Sequence, residues 1–332
     1  MADNKGILVV GEVAEGKLLP ITAELLGAGK KLAGELGEAL SCILISDRVG
    51  DAAKAAIVAG ADKVYVTEDA QLKGYCNDTY MQVAEKAVAD LAPRIVIMGQ
   101  TSIGRDLAPR LAFRLGVSAT MDCLELDIDP ASKLMNCTRP VYGGNARAIF
   151  TSEGIPQIAT VRVKAASPNP PDAGKAGEII PFPVAIDAGK VRAKVIETVK
   201  EEIAGVKLED AAAVVAGGRG MGGPEPFGKE LAELAKVLKG AVGASRPPCD
   251  NKWVPDSIQV GLTGKIIAPE LYIAIGISGS SQHMSGCSGS KCIVAINKDP
   301  EANIFKEARF GVVGDWKVIL PPFTAKVKEL VQ

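Results

Sequence analysis

The sequence predicts an α/β protein of two doubly wound domains, an N-terminal nucleotide-binding-like α/β domain with an antiparallel excursion and a C-terminal domain on a parallel sheet. Three observations carry this. Short apolar runs rich in Val and Ile alternate with longer amphipathic stretches, which implies strands joined by crossover helices in a mainly parallel sheet covered on both faces. The alternation stops near the middle of the chain and restarts after a polar stretch. At 332 residues the chain is long enough for two separate cores.

In the first half, strands are expected at 6–12, 41–46, 63–67 and 94–99, with helices at 22–37, 51–60, 78–92 and 104–116. Between 119 and 180 the pattern changes to short strands separated by turn residues, LMNCTRPVYGGN, ARAIFTS and QIATVRV, which reads as the antiparallel excursion. The segment 167–178 is rich in Pro and Gly, but the polar stretch 197–210 makes the better boundary. A break at 167 would leave a strand-like piece, 190–199, between domains. The expected domains are therefore 1–200 and 201–332. The second half reads as strand 211–216, a glycine-rich loop 217–226, helix 227–240 and strand 241–246. Strands 258–262, 271–278, 291–297 and 310–315 follow, with a closing helix 323–331.

Composition narrows the function. The net charge of −1 gives no basic surface for nucleic acid or an anionic membrane. No apolar run approaches the ~20 residues of a membrane helix. The chain begins MADNKGILVVGE and enters a strand at once, so a cytoplasmic protein without an export signal is expected. The seven cysteines are scattered, odd in number and contain no C-x-x-C, which fits free thiols in a reducing compartment. One histidine cannot build a metal site with them, and none is expected.

The chemistry concentrates between 217 and 297. Gly217-Gly218-Arg219-Gly220 lies between a strand and a helix. Its spacing is not the dinucleotide fingerprint, yet Arg219 stands where a pyrophosphate would lie; a solvated loop arginine is equally compatible. Ser245-Arg246 ends a strand, and Pro247-Pro248 limit where Arg246 can point. Val260-Gly261-Leu262-Thr263 forms a tight turn with a hydroxyl, outside the P-loop frame. Ser278-Gly279-Ser280-Ser281-Gln282-His283 follows an apolar strand and offers N–H and O–H donors at a helix start; one such loop is an ordinary cap, several in one domain favour a nucleotide cofactor. The lone His283 has no acidic residue nearby in sequence to orient it as a base, and lone histidines are more often structural. The chain thus offers cofactor-holding groups without a proton-transfer or nucleophile set, which favours a redox carrier over a hydrolase.

These loops resemble, in order, the alpha subunit (FixB) family of electron-transfer flavoproteins. The resemblance runs through GGRG, VGASR, VGLTGKIIAPELYIAIGISGSSQH, IVAINKDPEANIF and FGVVGDWKVILPP, and GRDLAPRLA and TRPVYGGN extend it to the first half. It implies FAD in the second domain, with the flavin at the junction with a beta subunit. Carried over by position, Arg219, Ser245, Arg246, Val260, Gly261, Leu262, Thr263, Ser278, Gly279, Ser280, Ser281, Gln282, His283, Asn297, Asp315 and Trp316 fall in FAD-contacting segments. Arg246 would lie over the isoalloxazine, Thr263 near N5 and His283 near the pyrimidine carbonyl, these three tuning the flavin. Leu262 departs from a common glutamine, and Ser280-Ser281 from a more apolar pair. AMP or a second FAD is implied in the beta subunit, leaving 99–110 structural or interfacial here. The implied role is an electron carrier rather than a substrate-converting enzyme, linked to fatty acid β-oxidation. It takes electrons from an acyl-CoA dehydrogenase-type partner and passes them to a quinone oxidoreductase or, in a bifurcating complex, exchanges them with NADH and ferredoxin. The Arg139-Pro140 form of the hinge motif is similar to that of the prokaryotic bifurcating and Fix-type groups. From a different class, a flavin- or NAD-dependent oxidoreductase with its own small substrate is the alternative, and a cofactor-free structural subunit the third.

Overall fold

The computed structural model describes residues 4–144, 146–197 and 206–331. They fall into two compact units, one within Met1–Pro140 and Arg147–Val199, the other within Val141–Ala146 and Lys200–Gln332. The expected boundary at 200/201 lies outside the described residues. The fold class expected from sequence is the one observed: α/β, with a parallel sheet in each unit.

In the first unit seven strands run in the order Glu178–Pro181, Lys63–Glu68, Leu40–Ser46, Ile7–Gly11, Ile95–Gly99, Gln157–Val161, Ala119–Cys123. Their neighbours pair in parallel throughout. Strand alternation divides the core. Ile7, Val9, Ile95 and Ile97 pack on one face with Leu25 and Ala56 of the helices Pro20–Leu36 and Ala52–Val58. Leu8, Val10, Val96 and Met98 pack on the other with Val83 and Leu107 of Asn77–Leu91 and Ser102–Leu115. Both faces are covered, which is why these strands read as continuous apolar runs.

The antiparallel excursion is smaller than expected. It comprises Glu125–Ile128, Met135–Val141 and Ala146–Thr151, with the first two antiparallel. The stretch QIATVRV instead supplies a central strand of the parallel sheet, where all five residues of Gln157–Val161 are buried. At its start Gln157 is a buried polar residue whose amide serves Met135 and Ser152. The piece 190–199 is not a strand over its described part, the remainder lying outside the described residues.

The second unit holds a five-stranded parallel sheet ordered Ala241–Ala244, Ala213–Gly217, Leu271–Ile275, Cys292–Asn297, Phe310–Val313. Counted along the chain this is the order 2-1-3-4-5, whose direction of winding reverses between the first and third strands. Val214, Ala216, Tyr272 and Ala274 face the helix Ser281–Cys287; Val215, Ile273 and Ile275 face Glu230–Val237 and Trp316–Val331.

Three expectations change here. The stretch 258–262 is not a strand: it turns back at Gly261 and leaves only isolated bridges, Ala244 to Gln259 and Val260 to Lys265. The helix expected at 227–240 is split into Glu225–Gly228 and Glu230–Val237. The closing helix begins at Trp316, ahead of Pro321-Pro322, although interior prolines usually end a helix. Asp315 caps it by accepting from the Lys317 N–H at 2.9 Å, and Leu320 is buried in the core at its first turns.

Candidate functional site

The carboxyl ends of four strands in the second unit converge on one cleft. Strand Ala213–Gly217 leads into a tight turn carrying Arg219 and Gly220, and Ala241–Ala244 leads into Ser245 and Arg246. Leu271–Ile275 is followed by the 276–280 loop, and Cys292–Asn297 by Lys298-Asp299. Together with the 259–263 turn they line a cavity of about 790 Å³. Its place, outside the strand ends at the reversal of winding, is where α/β sheets of this kind hold ligands.

Backbone packing fixes these loops. Gly276 adopts a left-handed φ of +62, and its Cα and carbonyl lie so close to Gly220 and Gly218 that a Cβ at Gly218 would meet the Gly276 oxygen at 2.1 Å. Ser245 is buried, its N–H donating to the Gly217 carbonyl at 3.0 Å. Val260 N–H donates to the Ala244 carbonyl at 2.8 Å, which places the 259–263 turn beside the end of that strand. The Leu262 N–H donates to the Gln282 carbonyl at 2.8 Å, tying the turn to the helix Ser281–Cys287. Gln259 Nε2 donates to Thr263 Oγ1 at 3.0 Å and holds that hydroxyl at the cleft.

Of the sixteen residues expected at the site, the cleft brings together Arg219, Ser245, Arg246, Val260, Gly261, Leu262, Thr263, Ser278, Ser280, Gln282, His283 and Asn297. Gly279, Ser281, Asp315 and Trp316 do not line it. Trp316 braces it from behind: its indole Nε1 donates to the Gly220 carbonyl at 3.1 Å. Asn297 also has a framework duty, donating through Nδ2 to the Ile277 carbonyl at 2.8 Å and accepting from the Asp299 N–H. Sequence reasoning missed Gly276, Gln259, Asp250, Lys298 and Asp299, which also line the cavity. Lys298-Asp299 were legible as the first residues beyond a strand end; Gln259 was hidden by its assignment to a strand.

The charges are unevenly matched. Arg246 pairs with Asp250 across one helical turn at 3.2 Å, both side chains more than half exposed. Arg219 and Lys298 make no ion pair among the described residues. Asp299 accepts from the Glu301 N–H within its own turn. The lining thus has three cations against two carboxylates, suited to a ligand with anionic groups.

His283 is not a cation in this setting. The side chain is 5% exposed. Its Nδ1 lies 3.1 Å from the Val260 carbonyl and its Nε2 2.8 Å from the Tyr272 hydroxyl. Burial lowers its pKa to about 4, the Val260 carbonyl opposing that fall. Near neutral pH the ring is therefore uncharged in this structure.

In the first unit the winding reverses between Ile7–Gly11 and Ile95–Gly99. The space beside Gly11, Glu12 and Gly104 is about 10 Å³. Thr101 caps the following helix by accepting from the Gly104 N–H.

Fold and cleft define a two-unit α/β protein with an open, cation-bearing cleft across the strand ends of its second sheet. Comparison with known proteins makes this specific. Residues 7–187 match the electron transfer flavoprotein domain, and residues 207–288 the electron transfer flavoprotein FAD-binding domain. The chain is 42% identical to the electron transfer flavoprotein subunit alpha of Thermoanaerobacterium thermosaccharolyticum, over 99% of this chain and 100% of that one. It is 42% identical to the same subunit of Megasphaera elsdenii, over 99% and 98%. To the protein FixB of Clostridium saccharobutylicum it is 40% identical, over 100% and 98%. The chain belongs to the electron transfer flavoprotein alpha subunit and FixB family. Among the described residues no helix is long and apolar enough to cross a membrane.

Proposed function

We propose that this chain is the FAD-binding alpha subunit of a heterodimeric electron-transfer flavoprotein, with FAD in the cleft of a second domain spanning 201–332 and a first domain, 1–200, that meets the beta subunit. The observation that carries it is the cleft itself: about 790 Å³ at four strand ends, with the cations Arg219 and Lys298 unmatched by any carboxylate among the described residues. That donor set fits a dinucleotide. Arg219, Lys298 and the Ser278 and Ser280 hydroxyls would hold the pyrophosphate, Ser245, Val260 and Gly261 would wall the flavin, and Thr263 would offer its hydroxyl to the ring. Arg246 would supply the positive charge beside it. Gly279, Ser281, Asp315 and Trp316 would act by shaping and bracing these loops.

Bound FAD supplies reversible electron transfer. This chain's residues hold it, set the charge around it and leave it without a substrate-facing acid–base pair. The beta subunit would carry AMP or a second FAD. Electrons would come from an acyl-CoA dehydrogenase-type partner and leave to a quinone oxidoreductase, or in a bifurcating complex be exchanged with NADH and ferredoxin. The test is the absorption spectrum and FAD count of the purified complex, followed by exposure to NADH. One FAD without NADH reaction means a simple carrier, two with reduction by NADH a bifurcating complex. A colourless complex that takes up no FAD refutes the proposal. Turnover of a small substrate without any partner protein would favour an independent oxidoreductase.

A further inference from the structure

Behind His283 lies a hydrogen-bonded chain that the cleft-lining residues do not account for. Tyr272 sits in the strand Leu271–Ile275 with no exposed surface. A phenol buried this completely needs a partner for its O–H. It has His283 Nε2 at 2.8 Å, and the Cys287 thiol lies against the same hydroxyl. On the other side of the ring, Nδ1 is 3.1 Å from the Val260 carbonyl, which can only accept. Nδ1 must therefore carry the ring proton. In the neutral ring Nε2 has a lone pair only, and Tyr272 is the donor that meets it. Both nitrogens are then engaged, and no N–H remains for a ligand.

The titratable groups facing the ring are Tyr272 and, beyond it, Cys287. Burial raises both, Cys287 to about 12, so neither is an anion near neutral pH. Nothing around the ring favours an imidazolium except the Val260 carbonyl.

We propose that Tyr272 is a positioning residue: through its O–H it holds His283 as the neutral Nδ1–H tautomer, so that the histidine gives the cleft an uncharged ring with no hydrogen-bond donor. The consequence for a bound flavin rests on the FAD reading above; the tautomer does not. With His283 neutral, positive charge in the cleft lining is that of Arg219, Arg246 and Lys298.

His283 is the only histidine of the chain, so incorporation of nitrogen-15 histidine gives one imidazole to observe in the full-length protein. The wild-type ring should show a protonated Nδ1 and a bare Nε2, unchanged from about pH 8 down to about pH 5. Adding FAD should leave that tautomer in place. Tyr272→Phe removes only the hydroxyl, and the ring's titration should move up by about one pH unit as the neutral form loses its donor. A wild-type ring protonated on Nε2, or on both nitrogens near neutral pH, with or without FAD, overturns the proposal and needs no variant to fold. A Tyr272→Phe protein whose ring keeps its tautomer and its titration also overturns it. The expected tautomer in a complex with the beta subunit that binds no FAD supports the role of Tyr272 and refutes the FAD reading alone.

Discussion

Gly279→Ala separates two jobs that a loop residue beside a ligand can have. Gly279 has φ +78, and an added Cβ would stand 2.3 Å from the Ile304 nitrogen and 2.5 Å from its Cα. Those atoms cannot yield easily: the Ile304 N–H donates to the Ser278 carbonyl at 3.0 Å, and the Ile304 side chain is fully buried. The left-handed conformation costs an L-residue about 1–2 kcal/mol. Forcing a methyl against fixed atoms adds about 1–3 kcal/mol. The sum, about 2–5 kcal/mol, is a large part of the ~5–15 kcal/mol that holds a domain folded. Trp253 and Trp316 both lie in the second unit, so their fluorescence follows its unfolding in urea. The unfolding midpoint should fall markedly, while FAD affinity well below that midpoint changes by less than about tenfold, or ~1.4 kcal/mol. An unmoved midpoint with FAD affinity lowered a hundredfold would refute the packing argument and make Gly279 a ligand contact.

Trp316→Phe removes the N–H that meets the Gly220 carbonyl, a bond worth about 0.5–1.5 kcal/mol. FAD should dissociate up to about tenfold more readily as the Arg219 turn loosens, and an unchanged dissociation constant by titration would reduce Trp316 to helix packing. Arg246→Ala breaks an exposed pair with Asp250, so stability should change by less than about 1 kcal/mol. The flavin midpoint should fall by tens of millivolts. A unit charge at ~4 Å is worth ~4 kcal/mol at an effective dielectric of ~20, screening by solvent lowers that, and ~1.4 kcal/mol is ~59 mV per electron. Redox titration with no shift removes Arg246 from this role. Glu12 is buried, and desolvation raises its carboxyl above the ordinary range. The folded state then holds the proton more tightly than the unfolded chain, and this contribution, present at low pH, is lost as pH rises through the folded value. Glu12→Gln keeps an acceptor for Thr101 Oγ1. The variant should unfold at a higher temperature than wild type near pH 8 and at a similar one near pH 4; equal midpoints near pH 8 would contradict the buried charge.

The fold was legible wherever burial alone decides structure. Ile7–Gly11, Leu40–Ser46 and Ile95–Gly99 read as apolar runs because both faces are covered, and pattern and structure report the same burial. The failures arise where a contact distant in sequence, or a local cap or turn, overrides the hydrophobic pattern. The strand Gln157–Val161 takes its place between Ile95–Gly99 and Ala119–Cys123, which no feature of its own residues specifies. The closing helix carries Pro321-Pro322 because its cap and the buried Leu320 hold its start. IQVGL has the composition of a strand but lies beside the last residue of one, with Gly261 at φ +147 turning it back.

The site was legible as a set of loops and much less so as a set of roles. Most of the sixteen residues carried over by the resemblance line the cleft, because the loops that follow parallel strands all emerge along one edge of the sheet. Which side chain faces inward depends on partners that sequence spacing conceals. His283 shows this most sharply. Along the chain it lacks an orienting carboxylate, which argues against a base but leaves it free to be a cation. In space it is oriented, by a phenol eleven residues earlier and a carbonyl twenty-three residues earlier, and both engage it as a neutral ring. The same burial that makes it a firm wall of the cleft removes its charge, since a dry site penalises an imidazolium more than these partners favour it. A residue cannot be both that buried and a strong source of positive potential without a carboxylate beside it. On the proposed reading, electrostatic tuning in this cleft would fall to side chains that stay partly solvated and keep their charge, among them Arg246, which pairs with Asp250 across one helical turn.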